Sequence, residues 1–204
     1  MAAAMSASAE QRIAASVLTA QASFRAVLDA MAAPGTVRPL AAAIAAPGRL
    51  MTAAVAVALA LCDHDTPVWL DNELGEDDDV AAWLRLQCGC RVVAEPRAAA
   101  FAFIGAPQAL PRLDEFSLGT ADFPDRSATI VLQVEALRGG PPLTLCGPGI
   151  RDRNVLHASG LPDDMAGRLA ANRALFPRGV DFILTAGKEI AALPRSVRLA
   201  DARE

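Results

Sequence analysis

Hydrophobic positions along the chain change period several times, and the changes mark its elements. Residues 127–134, SATIVLQV, are a β-branched and aliphatic run of strand length. A strand apolar on both sides belongs inside a sheet covered on both faces. It is entered from the Pro/Asp loop Phe123-Pro-Asp125, and Gly139, Gly140 and two prolines turn the chain after it. Leu143-Thr-Leu-Cys146 then reads as a returning strand that ends in the turn Gly147-Pro-Gly149.

Ahead of that strand the period is helical. Ser8-Ala-Glu-Gln11 has the form of a capping box, a helix start. Ile13, Val17, Phe24, Val27, Leu28 and Met31 keep helical spacing up to the stop at Pro34-Gly35, as one helix or two. Residues 50–61 are apolar all round, which predicts a helix buried in the domain. Thr66 precedes proline and is therefore extended, leading into a short strand at Val68-Trp-Leu70. The acidic run from Glu76 to Asp79 sits where a helix begins, and the unpaired N–H groups there favour negative charge. Val80, Trp83 and Leu84 give that helix an apolar stripe, and Gly89 stops it.

Residues 91–94 and 99–104 read as strands, and residues 106–126 as a long connection with three prolines. Connections of that length are uncommon in compact domains and are often functional. A helix is predicted over 161–176, with Asp163 and Asp164 at its start, then a strand over 179–185. Gly187-Lys188 turns it into a hairpin partner at 190–193. Alternating strands and helices closed by a hairpin predict an α/β fold, a mixed sheet between helical layers. Residues 21–204 read as a single domain, and residues 1–20 as an N-terminal extension or helix start.

Composition narrows the class. A 204-residue chain with 53% hydrophobic residues can bury one large core. Its net charge of −4 gives no reason to expect nucleic acid as partner. The basic residues are eighteen arginines and the single lysine Lys188, a bias that GC-rich coding also produces, so the arginines alone do not imply phosphate binding. Four scattered cysteines and a start, MAAAMSASAEQR, without the form of a secretory leader suggest a reducing, cytoplasmic setting. Residues 53–62 are apolar but too few to span a bilayer, so no membrane is expected.

Candidate chemistry is sparse. Cys88-Gly-Cys90 with Cys62, Cys146, His64 and His157 invites a metal reading, but a second tight ligand pair is missing, and buried small hydrophobes are the favoured role. Asp63-His64-Asp65 has the composition of an oriented acid–base group, against a capped turn as the favoured reading. Gly147-Pro-Gly149 follows a strand as phosphate loops do. It lacks the lysine and hydroxyl of such loops, and its proline removes an N–H, so a plain turn is favoured. Arg151 and Arg153 keep an anion site open there. Lys188 is the only residue able to form a Schiff base, and it falls at a polar turn. Asp181 is expected to face solvent or cap a helix rather than to be buried. Asp63, Asp65, Arg151 and Arg153 are the polar candidates for a site.

The ordered set Ser23-Phe-Arg25 with Leu28, Met31 and Pro34-Gly35; Asp63-x-Asp-Thr-Pro-Val-Trp-Leu70; Gly119-Thr120; Ala128-Thr-Ile-Val-Leu-Gln-Val134; Leu145-x-Gly-Pro-Gly-Ile150; Phe176-Pro-x-Gly-Val-Asp181; Ile183-Leu-Thr185; and Leu193-Pro-Arg195 resembles the H subunit of the bacterial carbon–phosphorus lyase system. The match covers residues 20–198. It implies a three-layer α/β/α sandwich like that of pyridoxal-phosphate-dependent transferases, without that cofactor. It also implies a homodimer and membership of a multiprotein complex. With its partners the family joins a phosphonate to the ribose C1 of MgATP and releases adenine. The family supplies no catalytic residues to carry over, so catalytic residues stay unassigned, with no cofactor or metal expected in this subunit. Phe24 and Trp69 of these motifs are expected to serve packing. The alternative is a self-sufficient phosphonate or nucleotide transferase, with its site at the 106–126 loop and the Gly147–Gly149 turn.

Overall fold

The computed structural model describes residues 2–40 and 45–200, with side chains from residue 17 onward. One helix, α1 (Ala2–Ala32), opens the chain. Ser8 therefore lies inside it rather than at its cap, and the Ile13 side chain is outside the described residues. The helix ends two residues before Pro34, as the Pro-Gly stop requires. Its inner face is made of small or slim residues, Ser23, Val27 and Ala30, all buried. They let α1 lie against α2 (Thr52–Leu61), in which Ala53 through Ala58 are all buried. Phe24 departs from the packing expected of it. It is 44% exposed, with Val17, Leu18 and Leu28 beside it on the outer face.

The remaining elements are β1 (Arg38–Pro39), β2 (Pro67–Leu70), α3 (Asn72–Gly75), α4 (Asp78–Gln87), β3 (Arg91–Val92), β4 (Phe101–Ile104), β5 (Thr129–Gln133), β6 (Leu143–Cys146), β7 (Asn154–Leu156), α5 (Met165–Ala174), β8 (Asp181–Ala186), β9 (Glu189–Leu193) and β10 (Arg198–Leu199). A seven-stranded mixed sheet has the order β1-β9-β8-β5-β4-β2-β3. The five strands from β8 to β3 are parallel; β9 and β1 join antiparallel. β5 lies in the middle, with Val131 opposite Phe103 of β4 and Ile183 of β8.

Alternate residues of these strands enter two separate cores. Phe103, Val131 and Ile183 join α1, α2, α3 and α4 on one face. Ile104, Ile130, Leu132, Phe182 and Leu184 face α5 and a small antiparallel sheet, β10-β6-β7, on the other. Burial on both faces is why β5 carries no polar alternation.

Three expectations are corrected here. β6 does not return alongside β5: both edges of β5 are taken by β4 and β8, so β6 pairs instead with β7 and β10. The second layer is only partly helical. α5 shares it with the small sheet and with residues 106–126, whose Leu110 and Phe116 are buried in that core. Asp181 does not face solvent. It forms a largely buried ion pair with Arg195, delivered by the turn after β9.

Candidate functional site

In an open α/β sheet, ligands bind beyond the carboxyl ends of the strands, where the strand order reverses. Here the reversal lies between β2 and β4. The chain leaves β2 through α3 and α4 toward β3, while β4 continues the opposite way to β5. Asp71, the first residue after β2, occupies the gap and is 3% exposed. Its carboxylate accepts from the N–H of Leu74 at 3.0 Å, capping α3. It also accepts from Gly105 at 2.9 Å and Ala106 at 2.8 Å, just past β4. One carboxylate thus clips together the two diverging loops.

The next strand end is closed in the same way. Gln133, the buried last residue of β5, accepts from the N–H of Met51 at 2.6 Å and donates to the carbonyl of Arg49 at 3.1 Å. These bonds hold the segment ahead of α2 across the strand ends. Asp77 fixes its other side. It caps α4 through the N–H of Asp79 and accepts the N–H of Arg49 at 3.1 Å.

Among the described residues two clefts lie at this edge, and both are acidic. The larger, about 600 Å³, is walled by Trp69, Val93 and Pro111 and carries Asp71, Glu76, Asp78 and Glu115 against Arg85. The smaller, about 390 Å³, carries Glu73, Asp77 and Asp79 with Glu76 and Asp78, against Arg49. Arg49 is itself shared with Glu73 at 3.7 Å. Such a lining repels anionic phosphonates and phosphates. Among the described residues, no cluster of three or more His, Cys, Asp or Glu is arranged to hold a metal ion that would reverse this charge.

The sequence candidates fall elsewhere and apart from one another. Asp63 and Asp65 lie in a turn ahead of β2, at the opposite end of that strand from Asp71. Asp63 accepts from the Thr66 hydroxyl at 2.7 Å and the N–H of Asp65 at 3.0 Å. The Thr66 bond, then the backbone bond, holds its carboxyl below the ordinary value. His64 and Asp65 pair at 3.2 Å in open solvent. This is a capped turn, in which the Thr66 hydroxyl is tied up between the Asp63 carboxylate and the Asp63 N–H.

Arg151 and Arg153 are exposed in the turn between β6 and β7, and make no ion pair among the described residues. The glycine turn before them packs on the end of α1, and a Cβ at Gly149 would sit 2.0 Å from the Ala32 carbonyl oxygen. A helix C-terminus carries partial negative charge, which disfavours an anion there. Residues 106–126 bond to other partners: Gln108 to the Leu161 carbonyl, Arg168 to that of Pro111, and Gly179 to that of Leu118. No hydrogen bond joins loop and turn among the described residues. Lys188 is exposed in the two-residue turn between β8 and β9, a place that does not fit a Schiff-base site.

The cysteines divide. Cys62, Cys88 and Cys90 gather at the amino ends of β2 and β3, whereas Cys146 lies in the small sheet beside Arg198. His157 is bonded to the Gly140 carbonyl at 3.2 Å. Sequence reasoning missed Asp71 and Gln133. The signal for Gln133 was one amide inside an otherwise apolar strand, and for Asp71 an acid directly after a strand.

Fold and site together define an α/β protein whose sheet edge at the strand carboxyl ends is clipped by its own hydrogen bonds and lined with carboxylates. The model of the family "Bacterial phosphonate metabolism protein (PhnH)" matches residues 11–200, and the chain belongs to that family. It is 47% identical over 143 residues, 70% of this chain and 71% of the relative, to the alpha-D-ribose 1-methylphosphonate 5-triphosphate synthase subunit PhnH of Rhizobium meliloti (strain 1021). It is also 39% identical over 92 residues, 45% of each chain, to the putative C-P lyase subunit protein HtxG of Stutzerimonas stutzeri.

Proposed function

We propose that the chain is an assembly subunit of a carbon–phosphorus lyase system. Together with partner subunits it would support the joining of a phosphonate to ribose C1 of MgATP with release of adenine, and it would have no activity alone. The observation behind this reading is the acidic strand edge, clipped by hydrogen bonds at Asp71 and Gln133. A synthase handling a triphosphate and a phosphonate needs an excess of cations, whereas each cleft at that edge sets one arginine against four or five carboxylates. The layered sheet agrees with a transferase-like α/β/α sandwich that has dispensed with pyridoxal phosphate, and the exposed position of Lys188 supports that absence.

The partner surface in this reading is the outer stripe of α1, Val17, Leu18, Phe24 and Leu28, each 44–65% exposed. Val17 and Leu28 lie at its two ends, so two copies crossing antiparallel would set each against the other, as a two-fold interface requires. The same stripe would then serve homodimer and complex in a cytoplasmic protein.

The test is reconstitution with the partner subunits, scoring complex assembly and adenine release together. Isolated protein should neither consume ATP nor cleave a phosphonate. Variants Asp63→Ala, Asp65→Ala, Arg151→Ala and Arg153→Ala should assemble and support adenine release at the parent level. A variant that assembled normally yet stopped adenine release would make this subunit an owner of the active site and overturn the reading.

A further inference from the structure

Cys88 is the residue that ends α4, its N–H bonded to the Leu84 carbonyl at 3.0 Å. Cys90 returns to the same carbonyl, donating its thiol at 3.5 Å. Between them Gly89 has φ +71°, a left-handed conformation that turns the chain back toward the end of α4. Each thiol is close enough to the other to influence its ionisation. A left-handed middle residue shortens the link between the flanking α-carbons relative to an extended one, toward the roughly 4.4–6.8 Å that a disulfide spans. Access is unequal. Cys88 is half-buried, whereas Cys90 is 2% exposed behind it.

We propose that Cys88 and Cys90 are a redox-active dithiol, a site of reversible disulfide formation by a hydroperoxide. Cys88, the reachable thiol, attacks the peroxide oxygen, becomes a sulfenic acid and releases one water. Cys90 then attacks the Cys88 sulfur, expelling the hydroxyl as a second water and closing the S–S bond. Two thiols and one hydrogen peroxide give one disulfide and two waters. A small external dithiol reverses the step and is itself oxidised to a disulfide. Within the pair Cys90 is the thiol pushed down, by Cys88 beside it and with Arg85 nearby acting in the same direction, while Cys88 is pushed up, so Cys90 takes the proton that Cys88 gives up as it attacks. Cys62 lies behind the pair, where burial pushes its thiol up and out of reaction. Cys146, alone in the other sheet, has no second thiol to resolve a sulfenic acid.

Arg85 and Arg91 flank the pair, so trypsin releases both cysteines on one peptide, residues 86–91. Full-length protein is treated with one equivalent of hydrogen peroxide, alkylated and digested. That peptide is expected unalkylated and lighter by two hydrogens, formed roughly tenfold or more faster than in the urea-unfolded chain. Phenylarsine oxide, which bridges neighbouring thiols, is expected to bind once per chain and to protect both cysteines from alkylation. Cys88→Ser should abolish both results. Gly89→Ala should slow closure, because a Cβ at this φ is strained. A disulfide through Cys62 or Cys146, sulfinic acid accumulating at Cys88, or closure no faster than in the unfolded chain would overturn the proposal.

Discussion

Arg195 grips Asp181 with its guanidinium and its own backbone N–H, and both side chains are about 15% exposed or less. The same guanidinium also donates to the Pro124 carbonyl, so one residue ties the start of β8, the turn after β9 and the entry to β5. Removing one member of a buried pair strands the other charge, which costs about 3–5 kcal/mol. Some water reaches this pair, which screens it, so Arg195→Met is expected to cost about 3 kcal/mol in urea unfolding, the low end of that range. The double variant Asp181→Leu/Arg195→Met should lose much less than the two single losses summed. Additive losses would mean the pair is not coupled.

Asp71 should tolerate even an isosteric change poorly. Asparagine offers one accepting oxygen where the carboxylate serves three N–H groups, and its NH₂ would oppose at least one of them. Asp71→Asn is expected to cost about 2–3 kcal/mol. Amide exchange should accelerate at Leu74, Gly105 and Ala106 ahead of the rest of the sheet. Unchanged protection at all three would remove Asp71 as the clip.

Two glycines with nearly equal φ separate conformational strain from crowding. At Gly139 (φ +80°) an added Cβ would meet nothing within 4 Å, whereas at Gly149 (φ +81°) it would stand 2.0 Å from the Ala32 carbonyl oxygen. Gly139→Ala should cost only the left-handed penalty, about 1–2 kcal/mol. Gly149→Ala should cost distinctly more, about 4 kcal/mol, because backbone on α1 must move as well. Equal thermal shifts would show that the contact with α1 relaxes freely.

The outer stripe of α1 predicts a separation of association from stability. Phe24→Ala and Leu28→Asp remove exposed side chains, so each should change folding stability by less than about 1 kcal/mol. Sedimentation at micromolar concentration should show the parent self-associated and Leu28→Asp monomeric. A parent that is monomeric throughout, or a Leu28→Asp variant that stays associated, would move the interface elsewhere.

The sequence by itself determined the elements whose evidence is local. The apolar run of β5, the all-apolar α2, the acidic start of α4 and the β8–β9 hairpin all appear where periodicity and capping chemistry put them. It also carried the family, because short motifs survive as an ordered set. Tertiary structure decided what depends on partners distant in sequence. β6 joined another sheet because β4 and β8 had filled both edges of β5. Phe24 faced outward because the small side chains of Ser23, Val27 and Ala30 let the opposite side of α1 approach α2. Asp181 was buried only because Arg195, fourteen residues on, neutralised it. The closed strand edge is of the same kind. Asp71 reaches N–H groups 34 and 35 residues away, and Gln133 bonds across 82 and 84 residues. No window of local sequence contains both ends of those bonds, so only the folded chain could reveal that the edge is clipped together by them.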